Sequence, residues 1–274
     1  MKDREGDETI TVNIKENLPS ELKRLIGDAT WQQSQVGHSG TDVYKLTKLA
    51  DAESAYLKIA KDNNDQESLR RDVEVLHWLE GKLPVPQVYA YFEDIDNGYL
   101  LMSEIKGQHG ATQELLENPE LLVRCYADGL RDIHSIAIEN CPFNQSVEVK
   151  VELANKRVQL GLVDEGDFEE EYKGFSVEKL FTQLKKTRPT TEDIVFTHGD
   201  YCLPNLIIQE NEVSGFIDLG RAGLADRYQD IALAVRSLKH NNLGQWVDSF
   251  LDCYGLQSID QEKVKFYILL DEFF

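Results

Sequence analysis

His198-Gly199-Asp200-Tyr201-Cys202-Leu203-Pro204-Asn205, followed downstream by Ile217-Asp218-Leu219-Gly220, decides the fold of this chain. Ile194 to Thr197 reads as a strand running into the first stretch. Leu206 to Ile208 then pairs with Val213 to Ile217 across the polar turn Gln209 to Glu212. That layout predicts that Asp200, Asn205 and Asp218 meet at one end of a hairpin. Two carboxylates and an amide are hard oxygen donors, few enough to leave room for phosphate, and this is the set that Mg²⁺ favours. A spare carboxylate among them is placed to accept a hydroxyl proton. Asx-type turn chemistry explains any one of the three residues, but poorly explains all three at this spacing.

The same residues fit the protein-kinase catalytic template, His-x-Asp-x-x-x-x-Asn followed by Asp-x-Gly, with Gly199 where an Arg is usual. Working toward the N-terminus, Ala55-Tyr56-Leu57-Lys58 stands where the template has a strand-borne lysine for the α and β phosphates. A helix is expected over Gln66 to Lys82, with Leu69, Val73, Leu76 and Leu79 on one apolar face. At about 100° per residue, Asp72 falls on that face between Leu69 and Leu79, whereas Glu74 points elsewhere. Burying an unpaired charge costs several kcal/mol, so Asp72 needs a partner, and the template supplies Lys58. The template acid is usually Glu. The shorter Asp72 must draw the helix closer or hold Lys58 through water.

Farther out, Val43 to Leu46, Ala55 to Ile59 and Gly98 to Ile105 read as strands, and Leu83-Pro84-Val85-Pro86 ends the helix. The second half reads as mostly helical. Asn118 is expected to cap a helix opened by Pro119 and carrying Leu122, Cys125, Tyr126, Leu130 and Ile133 at helical spacing, with His134 as a packed or capping residue. An acidic loop precedes the β segment. Ile231 to Leu238, Trp246 to Tyr254 and Glu262 to Leu270 follow as helices. The expected fold is α+β and bilobal, protein-kinase-like, with a small β-rich lobe over residues 1–105 and a larger, mainly helical lobe over 106–274; residues 1–17 read as a flexible leader.

The 274 residues carry a net charge of −20, with 41% apolar and 28% charged residues, an ordinary globular composition. No run approaches the ~18 consecutive apolar residues of a membrane span. The first residues lack the apolar core of a signal peptide, so a soluble, cytoplasmic protein is expected. Cys125, Cys141, Cys202 and Cys253 lie far apart, without a CxxC pair, which argues for reduced thiols and against a zinc site. So acidic a chain repels nucleic acid and anionic lipid and welcomes a cation. Solubility alone is the plainer explanation of the charge.

Beyond the template, His198-Gly199-Asp200 with Asn205, Ile217-Asp218-Leu219-Gly220-Arg221, Ala225-Asp226-Arg227-Tyr228-Gln229-Asp230-Ile231-Ala232 and Leu270-Asp271-Glu272-Phe273-Phe274 together resemble the aminoglycoside 3′-phosphotransferases. Trp78 to Pro86 and Leu101-Met102-Ser103-Glu104 look like the first lobe of that family. The resemblance implies transfer of the γ-phosphate of ATP to the 3′-hydroxyl of an aminoglycoside, and hence antibiotic resistance. It implies Asp200 as catalytic base and Asn205 and Asp218 as Mg²⁺ ligands. Lys58, paired with Asp72, would hold nucleotide phosphate. Ser39, in Gly37-His38-Ser39-Gly40, would cover the β-phosphate; Tyr56 would stack on adenine, with Ser103 and Ile105 offering backbone groups to its edge. Glu169, Glu170, Asp271, Glu272 and Phe274 would bind the drug, with Arg221 and Arg236 bracing the terminal carboxylates. Six carboxylates among residues 164–171 suit a substrate with several ammonium groups, although most charge runs are solvated faces. Ser237 and His240 stand where the family often has further acids. The implied protein is a monomer or weak homodimer with no nucleic-acid or membrane partner. Two rivals stay open: a kinase of the same fold acting on choline or a macrolide, and a non-catalytic nucleotide-binding protein.

Overall fold

A computed structural model describes residues 14–15, 17–34, 41–49, 53–61, 68–95 and 97–274. The chain forms two compact units, Met1–Gly81 with Val85–Ile105, and Lys82–Pro84 with Lys106–Phe274.

The first unit is built on a five-stranded sheet in the order β1-β2-β3-β5-β4, from β1 (Thr30–Gln33), β2 (Asp42–Thr47), β3 (Ser54–Lys61), β4 (Val88–Glu93) and β5 (Asn97–Ser103). Each neighbouring pair is antiparallel. Side chains alternate across a strand, and Tyr44 and Leu46 of β2 point to the buried side. They join Ala55, Leu57, Tyr99 and Leu101 in one cluster, covered by Leu22 and Ile26 of the helix Ser20–Ile26. The helix Leu69–Leu79 packs on β4 and β5. It is shorter than the expected 66–82, of which residues 66 and 67 lie outside the described residues. At its far end Glu80 leaves the helical conformation and Gly81 takes a left-handed φ of 73°. Its buried positions are Leu69, Asp72, Val75, Leu76 and Leu79, so Val75 rather than Val73 completes the inner face. Strand β5 stops at Ser103 rather than Ile105.

The second unit holds the helices Pro119–His134, Val147–Leu160, Val177–Thr187, Tyr228–His240, Val247–Tyr254 and Gln261–Asp271. Asn118 occupies the capping position of the first, but its side chain makes no capping hydrogen bond. Two helices flank what the sequence expectation treats as an acidic loop. In Val177–Thr187 the inner positions Val177, Leu180, Phe181 and Leu184 keep a helical period, and Ser176 caps it by accepting from the Lys179 N–H. In Val147–Leu160 a lysine, Lys150, occupies an inner position between Val147 and Ala154, which hides the period.

Strand β7 (Ile194–Thr197) pairs with β10 (Gly223–Asp226), and β8 (Leu206–Gln209) lies between β6 (Gln108–His109) and β9 (Glu212–Phe216). The β8–β9 turn is shorter than the expected four residues. Glu210 and Asn211, at φ of 54° and 68°, form the two-residue left-handed link that suits a hairpin's twist. Ile217 lies just past β9, and its N–H donates to the Asn205 carbonyl, 3.0 Å away. Beneath this region Tyr126 and Tyr201 stack with ring centroids 4.6 Å apart, and each hydroxyl donates to the other residue's carbonyl.

Candidate active site

The segment after β7 is held by partners distant in sequence. The N–H groups of His198 and Gly199 donate to the two oxygens of Asp230, at 2.7 and 2.8 Å. Gly199 has a φ of +85°, and a Cβ there would lie 2.2 Å from the Arg221 carbonyl oxygen, so the usual arginine has no room. The Asp200 N–H donates to His198 Nδ1 at 3.3 Å, and His198 Nε2 in turn donates to the Ile217 carbonyl at 3.0 Å. The Leu203 N–H donates to Ser237 Oγ at 2.9 Å. Ser237 is therefore a buried support of the turn.

Asn205 Nδ2 donates to both the carbonyl and Oδ2 of Asp200, each at 3.0 Å. Two of the three residues expected to meet are thus in direct contact. Asp218 sits at φ +62°, a left-handed conformation that Asp tolerates better than most residues. Its charge acts on Asp200. Burial first, then the neighbouring charges of Asp271 and Asp218, push the Asp200 carboxyl above the usual carboxylate range, with Arg221 pulling the other way.

Asp230 is the residue whose role the motif reading leaves unassigned. It is fully buried and also accepts from His134 Nε2 at 3.1 Å. His134 Nδ1 lies 2.7 Å from the Tyr254 hydroxyl, which accepts from Arg227 at 2.9 Å, and Arg227 Nε donates to Asp193 at 2.6 Å. Tyr254 stays protonated because burial raises its hydroxyl, against the pull of Arg227. His134 is accordingly a packed residue, as expected, that braces the acceptor of the His198–Asn205 turn.

In the first unit Lys58 Nζ lies 3.0 Å from Asp72 Oδ2, with only 11% and 12% of the two side chains exposed. The pair is direct, so the shorter acid reaches its lysine without a bridging water. Lys45 Nζ sits 5.9 Å above the Tyr56 ring and is bound to Glu104 Oε1 at 2.6 Å. The Ser54 hydroxyl donates to the other oxygen of Glu104. The Ser103 N–H is spent on the Gln87 carbonyl and its hydroxyl on the Gln87 N–H, both at 2.8 Å. Among the described residues no acceptor takes the Ile105 N–H. Ser39, with Gly37, His38 and Gly40, lies outside the described residues.

A second group of carboxylates lies in the same unit as Asp200. Asp271 receives Arg221 at 3.3 Å and Arg236 at 2.5 Å. Burial would raise its carboxyl, but Arg236 and Arg221 outweigh burial and hold it below the usual range. Glu272 has the opposite balance. Burial pushes it up to about 7, although its Oε2 accepts the Glu169 N–H at 3.0 Å. Glu169 Oε2 lies 3.0 Å from His240 Nε2 and its Oε1 lies 3.8 Å from Arg236 Nε. The Phe274 ring sits under Lys150 Nζ at 3.9 Å, with Arg157 and Arg221 beyond, while Arg157 Nε donates to the Phe273 carbonyl at 2.6 Å. Glu170 stands apart from this group, its side chain 86% exposed and paired with Lys173.

Among the described residues no three His, Cys, Asp or Glu side chains are grouped to hold a metal by themselves. A Mg²⁺ carried by nucleotide phosphates needs fewer protein ligands. The donor set fits that case: Asn205 commits its amide nitrogen to Asp200, which leaves Oδ1 as the donor, and Asp218 adds one carboxylate.

Residues 32–267 match the model of a family described as "Phosphotransferase enzyme family". An aminoglycoside 3′-phosphotransferase of Niallia circulans is 44% identical over 259 residues, 94% of this chain and 98% of that one. This chain belongs to the aminoglycoside 3′-phosphotransferase family. A second member, from Escherichia coli, is 37% identical over 94% of this chain and 95% of its own. The crystal structure of a type VIII aminoglycoside-3′-phosphotransferase superposes with a TM-score of 0.82 at 34% identity, covering 90% of this chain and 94% of that one. A Streptomyces rimosus aminoglycoside phosphotransferase in complex with ADP and streptomycin superposes with a TM-score of 0.76 at 26% identity, covering 92% and 95%. The aminoglycoside 3′-phosphotransferase fold seen here is the expected α+β, protein-kinase-like one, a β-sheet N-terminal part followed by a helical C-terminal part. Among the described residues no helix is long and apolar enough to cross a membrane.

Proposed function

We propose that this kinase transfers the γ-phosphoryl group of ATP to the 3′-hydroxyl of an aminoglycoside of the kanamycin and neomycin type, and so confers resistance. One observation carries the reading. The charge of Asp271 acts on the half-buried Asp200, which supports reading the proton acceptor and a carboxylate suited to a polycationic drug as neighbours. Asp200 takes the proton of the 3′-hydroxyl as its oxygen bonds to the γ-phosphorus and the bond to the β,γ-bridging oxygen breaks, releasing ADP. Such transfers run through a loose transition state, so orientation by Asp200 matters more than a strong base. Asn205 and Asp218 would hold Mg²⁺, which when bound offsets phosphate charge. Lys58, held by Asp72, takes phosphate oxygens. Ser39 covers the β-phosphate, Tyr56 faces adenine, and Ile105 and Ser103 offer backbone groups to its edge. Glu169, Asp271, Glu272 and Phe274 hold the drug, with Arg221 and Arg236 as braces and Glu170 as an outer acid. Residues 1–105 serve the nucleotide and 106–274 the chemistry and the drug.

The test is Mg²⁺-dependent ADP release with ATP and kanamycin, run beside tobramycin, which lacks the 3′-hydroxyl. Turnover with kanamycin and inhibition without turnover by tobramycin are expected. Turnover of both would move the acceptor to another hydroxyl, and turnover of neither would favour a different cationic alcohol.

A further inference from the structure

Glu169 is the member of the acidic run that meets the buried carboxylates, and the protein's own donors already occupy it. Its Oε1 faces Arg236 Nε at 3.8 Å, its Oε2 lies 3.0 Å from His240 Nε2, and its backbone N–H is tied to Glu272 Oε2 at 3.0 Å. A cationic ligand that approaches this carboxylate must share it with, or displace, one of the two side chains. They are not equally held. Arg236 is only 21% exposed and is also bound to the buried Asp271 at 2.5 Å, so it is fixed by two acids at once. His240, in the last turn of the helix Tyr228–His240, is 56% exposed, and Glu169 is the acid it meets. Lys239 precedes it and Arg236 lies one turn back on the same helix, and Glu169 meets it from the facing segment.

We propose that His240 is an internal occupant of the ammonium subsite at Glu169, which a substrate amino group must displace, and that it thereby sets how tightly polycationic substrates bind. This rests on the aminoglycoside kinase reading and names a determinant of its substrate affinity. Two features single out the imidazole. It stands at hydrogen-bond distance from the carboxylate oxygen that a substrate ammonium would seek. Its exposure also lets it swing into solvent at little packing cost, which Arg236 is not free to do. Glu169 is itself only 25% exposed, so its few open directions make the competition direct. The side chain at position 240 then tunes affinity without touching the phosphoryl group.

The experiment is steady-state kinetics with Mg-ATP and kanamycin on the full chain, comparing wild type, His240→Ala, Glu169→Gln and the double variant. The pair is partly exposed and has the size of an ordinary surface contact, so His240→Ala is expected to lower KM for kanamycin about 2- to 5-fold, acting on KM rather than kcat. In the Glu169→Gln background the same substitution is expected to do nothing, because the contested carboxylate charge is gone. His240→Gln keeps a hydrogen-bond donor on a more flexible side chain and is expected to fall between wild type and His240→Ala; it carries the test if the alanine variant folds poorly. A KM that rises or stays put in both His240 variants, or an equal effect with and without Glu169, overturns the proposal. Wild-type turnover of kanamycin with unmoved KM in the variants would sink this inference alone. Absence of wild-type turnover with any aminoglycoside would instead sink the functional reading on which it rests.

Discussion

Two acidic stretches of the chain behave in opposite ways. From His198 to Asn205 the backbone is anchored by side chains far away in sequence, Asp230 and Ser237, and the one acid, Asp200, is half-buried with its carboxyl raised. Between Asp164 and Glu171 six carboxylates crowd together, yet most of their contacts are local. Asp164 accepts from the Gly166 N–H, Glu165 caps the next helix at Val177, and Glu170 pairs with Lys173. Among the described residues, Glu169 is the member hydrogen-bonded and ion-paired across the unit, to His240, Arg236 and Glu272. Density of charge in sequence is therefore a poor guide to where charge is used. Long-range anchoring is the better one, because it fixes a group in the geometry that chemistry needs.

The largest effect should come from Asp200. Asp200→Asn is expected to cost at least ~10²-fold in turnover. Its thermal midpoint should stay level or rise. A carboxyl raised in the fold is one whose charge the fold resists, so deleting that charge relieves a cost present at neutral pH and absent once the group is protonated. Steady-state rates and thermal melts at pH 7 to 8 check both halves. A variant that is inactive because it is unfolded would break the contrast.

Next in size is the anchor. Asp230→Ala strands two buried N–H groups and the His134 donor, and each unmet group costs roughly 1–3 kcal/mol. Denaturant unfolding should therefore show a lower midpoint with catalysis lost in parallel. An Asp230→Ala protein of wild-type stability would show that the turn holds itself. The Lys58–Asp72 pair of the first unit belongs to the same class. Removing either partner takes the nearest counter-charge, 3.0 Å away, from a buried group and should lower the denaturant midpoint.

Smaller effects distinguish the drug-side acids. Glu272, raised to about 7, gains its charge as pH climbs from 6 to 8, so KM for kanamycin should fall over that interval. The ratio of wild-type to Glu272→Gln KM values, taken at each pH, removes the titration of the drug itself. A flat ratio would mean that Glu272 does not meet the substrate. The smallest effect is expected from the exposed acid: Glu170→Gln should change KM by less than about 2-fold, as exposed ion pairs do. A larger change would restore the acidic run as a whole to the drug site.

The contact of Asn205 with Asp200 was legible because the kinase template sets those residue types at a fixed offset. The Asp72–Lys58 contact was legible because a carboxylate on an apolar helical face demands a partner. Asp230 and Ser237 were not legible as supports, since their partners are backbone N–H groups that leave no mark in sequence. The helix Val147–Leu160 was hidden by Lys150, which occupies an inner position beside the Phe274 ring. Glu170 and Glu169 are adjacent and chemically alike, so only the fold separates them.

The most direct test of the account is the position of phosphate in the product made from kanamycin and ATP, read by phosphorus and proton NMR. The account predicts a single phosphomonoester on the 3′ oxygen. Phosphate on any other hydroxyl, or ATP hydrolysis without a phosphorylated drug, would contradict it.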